Sequence, residues 1–268
     1  EAATGGCVMI ERVPTGDIWL RDTGAIFAVL DGAPGALGFR FNGWGGKFVM
    51  PGDSETAAAM AMVEGVRLQR HDFVLEGGAI DLDGAGRLLT TRQCLLNPNR
   101  NPGWDEATAE AALKAAFGVD QVIWLGDGLA NDHTDGHVDN IARFIAPGHA
   151  LCQAPSGPDD PNADTYAKIE ADLRAAGLEV SILASPGRIE TDEGEVIPAS
   201  HMNFTLTNDA LILPTYESVY SQLAIETLMQ LCPGREIVAL PASHILAGGG
   251  SFHCMTREVP RFETGEKA

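Results

Sequence analysis

One part of the chain decides the fold class: AIDLDGAGRLLTT (residues 79–91), followed by WDEATAEAALKAAF (104–117) and QVIWL (121–125). AIDLD and RLLTT flank the turn residues Gly-Ala-Gly, which predicts a β-hairpin. The next stretch is rich in good helix formers and stops at Gly118, and QVIWL is a short apolar strand. The segment therefore predicts a strand–strand–helix–strand unit, written ββαβ.

The same order of signals recurs along the chain. Comparable units begin near residues 24, 78, 137 and 203, and a fifth begins near Ser251, shortly before the sequence ends. In the first unit the helix is predicted over residues 55–70, before a strand at 72–75. In the third, HVDNIARFIA (137–146) is predicted to be a strand because apolar and polar residues alternate in it.

The two ends of the sequence fit the same pattern. CVMIERV (residues 7–13) is interpreted as the last strand of the fifth unit. The sequence lacks an initiating Met, so we expect a trimmed start, with the middle of the fifth unit in a segment absent here. The repeated units predict an α/β fold, with residues 1–268 as a single domain.

The net charge of the chain limits the classes of partner that it can bind. The 268 residues carry 37 acidic and 18 basic side chains, a formal net charge of −19. Nucleic acids and anionic membranes should be repelled, because phosphate binding requires clustered Lys and Arg. No apolar run approaches the roughly 18 residues that span a bilayer. The acidic field favours a small cationic substrate, although high charge also serves solubility.

The cysteines argue against a disulfide framework. The chain has 5, widely spaced and without a CxxC pair, so neither paired disulfides nor a thiolate zinc site is indicated. The N-terminal residues also lack the layout of a secretory signal. We therefore expect the protein to be located in the cytoplasm, a reducing compartment. The sequence leaves open whether the protein forms a homo-oligomer.

Reactive or hydrogen-bonding side chains occur at the same point of successive units. If the units surround an axis, these groups should converge on one central pocket. They are Asp22 in WLRDTG, Glu76 in LEGG, His137 and Asp139 in GHVDN, His201 and Asn203 in SHMNF, and Cys254 in GGGSFHC.

This set predicts a cysteine nucleophile. In a strand His137 and Asp139 would share a face, whereas His253 would point away from its neighbour Cys254, so His137 is the better base. Carboxylates around a thiol raise its pKa, which is unfavourable unless the substrate brings a positive charge. A guanidinium does so, because it is planar, permanently charged and able to bind carboxylates through two N–H groups.

Other interpretations are also consistent with single motifs. NDHTDGHVDN (131–140) offers two histidines at the i, i+4 spacing of a helical zinc site, but Gly136 and the following alternation favour a turn that enters a strand. NPNRNP (97–102) is most simply a rigid loop. Asp22 could form a local ion pair with Arg21, and Glu76 could serve a turn. A binding module without catalysis is disfavoured because every catalytic position is filled.

The motifs resemble the agmatine deiminase family, which includes the bacterial peptidylarginine deiminases of the guanidine-modifying superfamily. From about Asp17 to Thr256 they occur in the family's order. They are WLRDTG, NGWGG, LEGG, LLTTRQCLLNPNRNP, GHVDN, ASHMNF and LAGGGSFHCMT. The resemblance implies a five-bladed α/β propeller (pentein) of ββαβ repeats with pseudo-fivefold symmetry. Its N-terminal part would be missing from this sequence.

The resemblance also implies roles. Cys254 would be the nucleophile and His137 the general acid and base, while Asp22 and Asp139 hold the guanidinium and Glu76 completes the polar ring. Agmatine would become N-carbamoylputrescine and ammonia through a thiouronium intermediate, with no metal or organic cofactor. An amidinotransferase, which passes the amidino group to an amine, is an alternative on the same fold.

Several positions depart from the family pattern. Agmatine deiminases usually carry an acidic residue four positions before the catalytic His and an Asn two before it, where this chain has His133 and Asp135. His201 replaces the usual Tyr, and Arg257-Glu258-Val259 replaces a Gln-rich run. His133 and His201, together with Trp19, are predicted to contact the substrate beyond its guanidinium. An arginine side chain in a peptide, or another guanidino compound, therefore remains an alternative substrate.

Overall fold

Four consecutive three-stranded sheets make up the framework of the protein. The computed structural model describes residues 8–261. In each sheet the strands lie in chain order, with the first two antiparallel and the third parallel to the middle one. The strands are β1 (Ile26–Leu30), β2 (Ala33–Arg40), β3 (Arg67–Val74), β4 (Ile80–Leu82), β5 (Arg87–Thr91), β6 (Gln121–Leu125), β7 (Ala142–Ala146), β8 (His149–Ala154), β9 (Glu179–Ala184), β10 (Thr205–Leu206), β11 (Ala210–Thr215) and β12 (Glu236–Pro241).

One longer helix connects the second strand of each sheet to the third, as a parallel pair requires. The helices are α1 (Leu20–Thr23), α2 (Gly43–Gly46), α3 (Thr56–Val63), α4 (Arg92–Leu95), α5 (Glu106–Phe117), α6 (Ala163–Ala175), α7 (Ser221–Leu231) and α8 (Ser243–Leu246). The crossovers are α3, α5, α6 and α7. The predicted ββαβ order is therefore confirmed in four units of a mixed α/β fold.

Local signals in the second unit fix its crossover helix. The Asp105 carboxylate caps α5 by accepting a 2.8 Å hydrogen bond from the Thr108 amide, and Gly118 ends the helix at φ +66°. The inward face of α5 buries Ala109 and Leu113 against the second sheet. A side chain such as Leu113 contributes about 1.5–3 kcal/mol through its removal from water.

The crossover helices also join neighbouring sheets. Ile169 of α6 lies in one apolar cluster with Ile123 of β6 and Cys152 of β8. Leu228 of α7 packs in a second cluster with Leu183 of β9. Because α6 and α7 each pack against the preceding sheet as well as their own, the second, third and fourth sheets are held at fixed positions relative to one another.

Two element predictions were wrong in extent. The helix predicted over residues 55–70 ends at Val63, because Gly65 adopts φ +66° and reverses the chain, and the residues that follow belong to β3. The segment 137–141 is not a strand. Residues Val138–Asn140 form a 3-10 turn whose amide bonds stay local, and β7 begins only at Ala142.

The fifth unit has no strands among the residues described. Residues 251–261 are turns and irregular chain, and so are residues 8–13 of the predicted strand CVMIERV. Cys7, its first residue, lies outside the described part. None of the helices within residues 8–261 combines the length and the apolar character that crossing a membrane demands.

Candidate active site

The turns that enter the sheets carry the polar side chains. Asp22 lies in α1, just before β1, and both of its carboxylate oxygens have fixed partners. Oδ2 accepts a 2.9 Å bond from the Trp44 indole, and Oδ1 accepts a 2.8 Å bond from the Gly78 amide. Trp44 reaches Asp22 from a turn that it occupies at φ +53°, a backbone conformation uncommon for a bulky residue. The carboxylate is therefore oriented before any ligand arrives.

Glu76 follows β3 and is completely buried. Its Oε1 accepts a 2.7 Å hydrogen bond from Nε of Arg100, in an ion pair with no exposure on either side chain. Burial alone would raise the pKa of Glu76, but the neighbouring His137 and the Arg100 charge bring it below its ordinary value. Glu76 is accordingly a carboxylate at neutral pH.

His137 lies between two of these carboxylates. Its Nδ1 is 3.8 Å from Asp22 Oδ1 and its Nε2 is 3.8 Å from Glu76 Oε2, which are ion-pair rather than hydrogen-bond distances. Neither ring nitrogen has a hydrogen-bond partner within residues 8–261. Burial would lower the pKa of His137, but Asp22, Cys94 and Glu76 raise it well above its ordinary value. These neighbours favour the imidazolium form of the ring, which is able to donate a proton.

Asp139 is buried beside His253. Its Oδ2 is 2.7 Å from His253 Nδ1, whereas its Oδ1 has no partner among the described residues. Burial raises the pKa of Asp139 to about 7, and the charge of Asp22 adds to this effect. The pKa of His253 is lowered well below its ordinary value by burial and by nearby arginines, so the neutral ring donates to Asp139.

Cys254 has its thiol within reach of Asp139 and Asn203. The Sγ atom is 3.7 Å from Asp139 Oδ2 and 3.2 Å from Nδ2 of Asn203, and the side-chain Oδ1 of Asn203 accepts a hydrogen bond from the Cys254 backbone amide. Burial, Asp139 and Asp22 raise the pKa of the thiol well above its ordinary value. A cation bound beside these carboxylates would counter their effect and favour the thiolate.

A cavity of about 240 Å³ opens above the thiol. A Cβ atom added at Gly250 would lie 2.6 Å from the Trp19 ring, so the glycine run allows Trp19 to close over Cys254. The lining residues are Asp17, Trp19, Asp22, Trp44, Phe48, Met50, His133, Thr134, Gly248, Gly249, Gly250 and Cys254. Aromatic walls with an acidic floor suit a small cation that carries an apolar chain.

The two histidines predicted to contact the substrate tail occupy different positions. His133 is exposed at the rim of the cavity, in residues 131–136, named here the mouth segment. His201 is fully buried and does not line the cavity. Its Nδ1 is 2.7 Å from the Ala184 carbonyl and its Nε2 is 3.0 Å from the Ser221 hydroxyl. Since both nitrogens are occupied, the substrate contact predicted for His201 has no support in this geometry.

Sequence reasoning missed three side chains around the site. Arg100, from the loop interpreted as merely rigid, holds Glu76. His253, set aside as a base for Cys254, instead contacts Asp139. Cys94 lies beside His137 and is 3.9 Å from Glu76 Oε2. A basic residue inside a Pro- and Asn-rich loop was the one available signal, and it concerned Arg100 alone.

One group of potential metal ligands exists in the described part of the chain. Atoms of Glu76, Cys94 and His137 lie within 4.8 Å of one another. The Arg100 guanidinium already neutralises Glu76, so a metal cation bound there would face a fixed positive charge. The zinc alternative built on His133 and His137 finds no such group, because His133 lies at the rim.

The buried thiol, the histidine and the carboxylates, carried on repeated ββαβ sheets, form the kind of site that an enzyme with a cysteine nucleophile uses. The particular family follows from comparison with known proteins. The model of the Porphyromonas-type peptidyl-arginine deiminases matches residues 1–260, and the chain belongs to that family.

Curated relatives and solved structures agree with this assignment. The chain is 34% identical to the agmatine deiminase of Pseudomonas fluorescens, over 94% of this chain and 77% of the relative. It is also similar to the C. jejuni agmatine deiminase solved with substrate bound, at TM-score 0.88 and 33% identity, over 93% of this chain and 75% of that one. The agmatine deiminase of Enterococcus faecalis aligns at TM-score 0.83 and 32% identity, over 88% and 73%. The predicted family resemblance is confirmed.

Proposed function

We propose that the protein hydrolyses agmatine to N-carbamoylputrescine and ammonia. The observation that carries this proposal is Asp139, whose buried Oδ1 has no hydrogen-bond partner within residues 8–261, while Oδ2 lies 3.7 Å from Cys254 Sγ. An unpaired buried acceptor is costly unless a ligand satisfies it. A guanidinium that donates to Asp139 would bring its carbon in front of the sulfur. The agmatine deiminases among the relatives support agmatine as the substrate.

The chemistry then proceeds in two halves. The Cys254 thiolate attacks the guanidinium carbon, and His137 gives its proton to the departing amino group, which leaves as ammonia. The resulting thiouronium is attacked by water, from which His137 recovers a proton. Collapse releases the ureido product and the thiolate, and the second water proton converts ammonia to ammonium. The sum is guanidinium plus water giving ureido product plus ammonium.

Each neighbouring group has a role in these steps. Asp22 and Asp139 hold the guanidinium, whose positive charge offsets their repulsion of the thiolate while it is bound. Asp22 and Glu76 raise the pKa of His137 and so favour the protonated ring that the first half of the reaction requires. The Asn203 amide, 3.2 Å from Sγ, donates to the thiolate as it forms and as it departs. Trp19 and Trp44 enclose the apolar chain of the substrate.

A second candidate substrate is an arginine side chain in a peptide. At Phe48, His133 and Gly249 the cavity adjoins a wider groove of about 1560 Å³. Its lining contains more acidic than basic side chains, among them Glu190 and Glu195. Such a groove would accept a longer cationic ligand than agmatine, and His133 at the junction would favour a tail without a terminal amine.

The test is product analysis with purified protein. Agmatine, arginine and a peptidyl-arginine are incubated separately in the presence of a metal chelator, and ammonia and the ureido product are measured. We expect ureido product and ammonia in equal amounts, full loss of activity in Cys254→Ser, and retained activity in the matched control Cys232→Ser. Transfer of the amidino group to an added amine without ammonia would identify an amidinotransferase instead.

We further propose that the four sheets are blades of one five-bladed propeller domain. The exposed apolar side chains support this arrangement. Apart from Leu82, the large ones lie in residues 8–63 or 219–259, with Met62 at 77% and Val219 at 81% exposure. A fifth blade between the first and fourth sheets would cover both sets. An experimental structure tests the proposal, and burial of these side chains by a second copy of the chain would contradict it.

A further inference from the structure

The loop NPNRNP contains a buried guanidinium that the catalytic scheme does not yet use. Arg100 is 3% exposed and donates along three directions. Nε donates to Glu76 Oε1 at 2.7 Å, Nη1 to Asp135 Oδ2 at 2.6 Å, and Nη2 to the Thr134 carbonyl at 2.9 Å. One side chain thus bridges a carboxylate beside the acid–base histidine and the segment at the mouth of the cavity.

The mouth segment is held in place by two cations that donate to the two carboxylate oxygens of Asp135. Besides Arg100, Asp135 accepts a 2.6 Å bond from Lys47, whose ammonium also donates to the His133 carbonyl. These cations, together with Asn99, hold the pKa of Asp135 at about 2 in spite of its partial burial. Lys47 is half-exposed and does not contact Glu76, whereas Arg100 is buried and contacts both carboxylates. The two cations therefore share one partner and differ in the other.

We propose that Arg100 is a positioning residue that fixes Glu76 against His137 and couples this pair to the mouth segment. The inference rests on the proposed deiminase function and deepens it. Arg100 does not line the cavity above Cys254, so its effect passes through Glu76 on one side and through Thr134 and Asp135 on the other.

The coupling has a definite electrostatic sign. A fully buried carboxylate without a countercharge takes up a proton, since desolvation disfavours its charged form. If Arg100 is removed, only the His137 ring remains as a charge partner of Glu76, so the pKa of Glu76 rises and its stabilisation of the imidazolium weakens. His137 then releases its proton at a lower pH, and the form that protonates the leaving ammonia is lost earlier as pH rises. The descending limb of kcat against pH should move to lower pH.

The experiment compares Arg100→Gln with Lys47→Met. Each removes one positive charge from Asp135, but only Arg100→Gln also removes the guanidinium from Glu76. For Arg100→Gln we expect kcat to fall roughly 10- to 100-fold and the descending limb to move down by roughly 1–3 pH units. For Lys47→Met we expect the limb to stay in place while KM for agmatine rises. Arg100→Lys keeps a positive charge near Glu76, so the descending limb of kcat against pH should return most of the way to its wild-type position. If Arg100→Gln does not fold, the comparison is made with Arg100→Lys.

A readout independent of turnover separates this inference from the proposed function. The ring of His137 is titrated by NMR in Cys254→Ser protein and is assigned with His137→Ala. As the pH is raised, the His137 ring should lose its proton at a lower pH in Arg100→Gln than in protein that retains Arg100. An unchanged titration and an unchanged pH profile, with only a lower melting temperature, would reduce Arg100 to a structural residue. If the titration of His137 moves as expected but the protein has no deiminase activity, the proposed function would be wrong and the role of Arg100 would stand.

Discussion

Gly78 lies against three side chains of the candidate site, and an added methyl group there should be severely inhibitory. A Cβ at this position would be 2.6 Å from His137 Nδ1, 2.9 Å from Asp22 Oδ1 and 3.1 Å from Asp139 Oδ2. Ordinary contact begins at 3.4 Å, so the imidazole would have to retreat by about 0.8 Å. Displacement of catalytic groups by about 1 Å costs on the order of 10²-fold in rate.

The variant Gly78→Ala should therefore lose about 10²-fold or more in kcat/KM for agmatine. The overpacking should also cost roughly 1–3 kcal/mol of stability, measured by thermal denaturation. The amide that donates to Asp22 is retained, so loss of that hydrogen bond is not the cause. Gly126→Ala is the matched control, because its added methyl meets nothing within 4 Å and its φ is not positive. Wild-type kcat/KM in Gly78→Ala would refute the convergence of the three side chains.

Three further outcomes are expected. Because the pKa of Asp139 is about 7 and guanidinium binding requires its carboxylate, KM for agmatine should rise about tenfold per pH unit below 7. A KM that stays constant between pH 5 and 7 would contradict this. Calorimetry of agmatine binding to Cys254→Ser in two buffers should also detect the proton that Asp139 releases on binding. His253→Phe, which removes the donor to Asp139, should lower kcat/KM roughly 10- to 100-fold, whereas His253→Asn should keep part of the activity. The pKa of His201 is lowered to about 4 by burial, so stability is present above pH 6.5 and falls by up to about 3 kcal/mol as pH drops towards 4. His201→Leu should remove that pH dependence and leave KM unchanged, and a raised KM would return His201 to the substrate site.

The sequence predicted those elements whose signals are local. The second unit agrees closely, because Asp105 caps its helix, Gly118 ends it, and the flanking strands are short apolar runs between turn residues. The helix of the first unit was overextended because good helix formers such as Leu68 and Gln69 continue past Val63, and the reversal depends on the single residue Gly65.

Side-chain contacts were harder to predict than elements. His137 and Asp139 were expected on one strand face, yet a 3-10 turn directs both towards Gly78. The two side chains do point to the same place, as expected, but the backbone that directs them is a turn rather than a strand. The partners of Arg100 and His201 lie far away in sequence, and no local pattern specifies how far a buried side chain reaches.

The proposed mechanism requires a covalent bond between Cys254 Sγ and the guanidinium carbon. Agmatine is mixed with the enzyme, the reaction is quenched in acid within the first turnover, and the intact mass is measured. We predict an adduct equal to agmatine minus ammonia, mapped by peptide analysis to Cys254 and absent from Cys254→Ser. Ureido product formed at the wild-type rate by Cys254→Ser, with no adduct on any cysteine, would contradict the account.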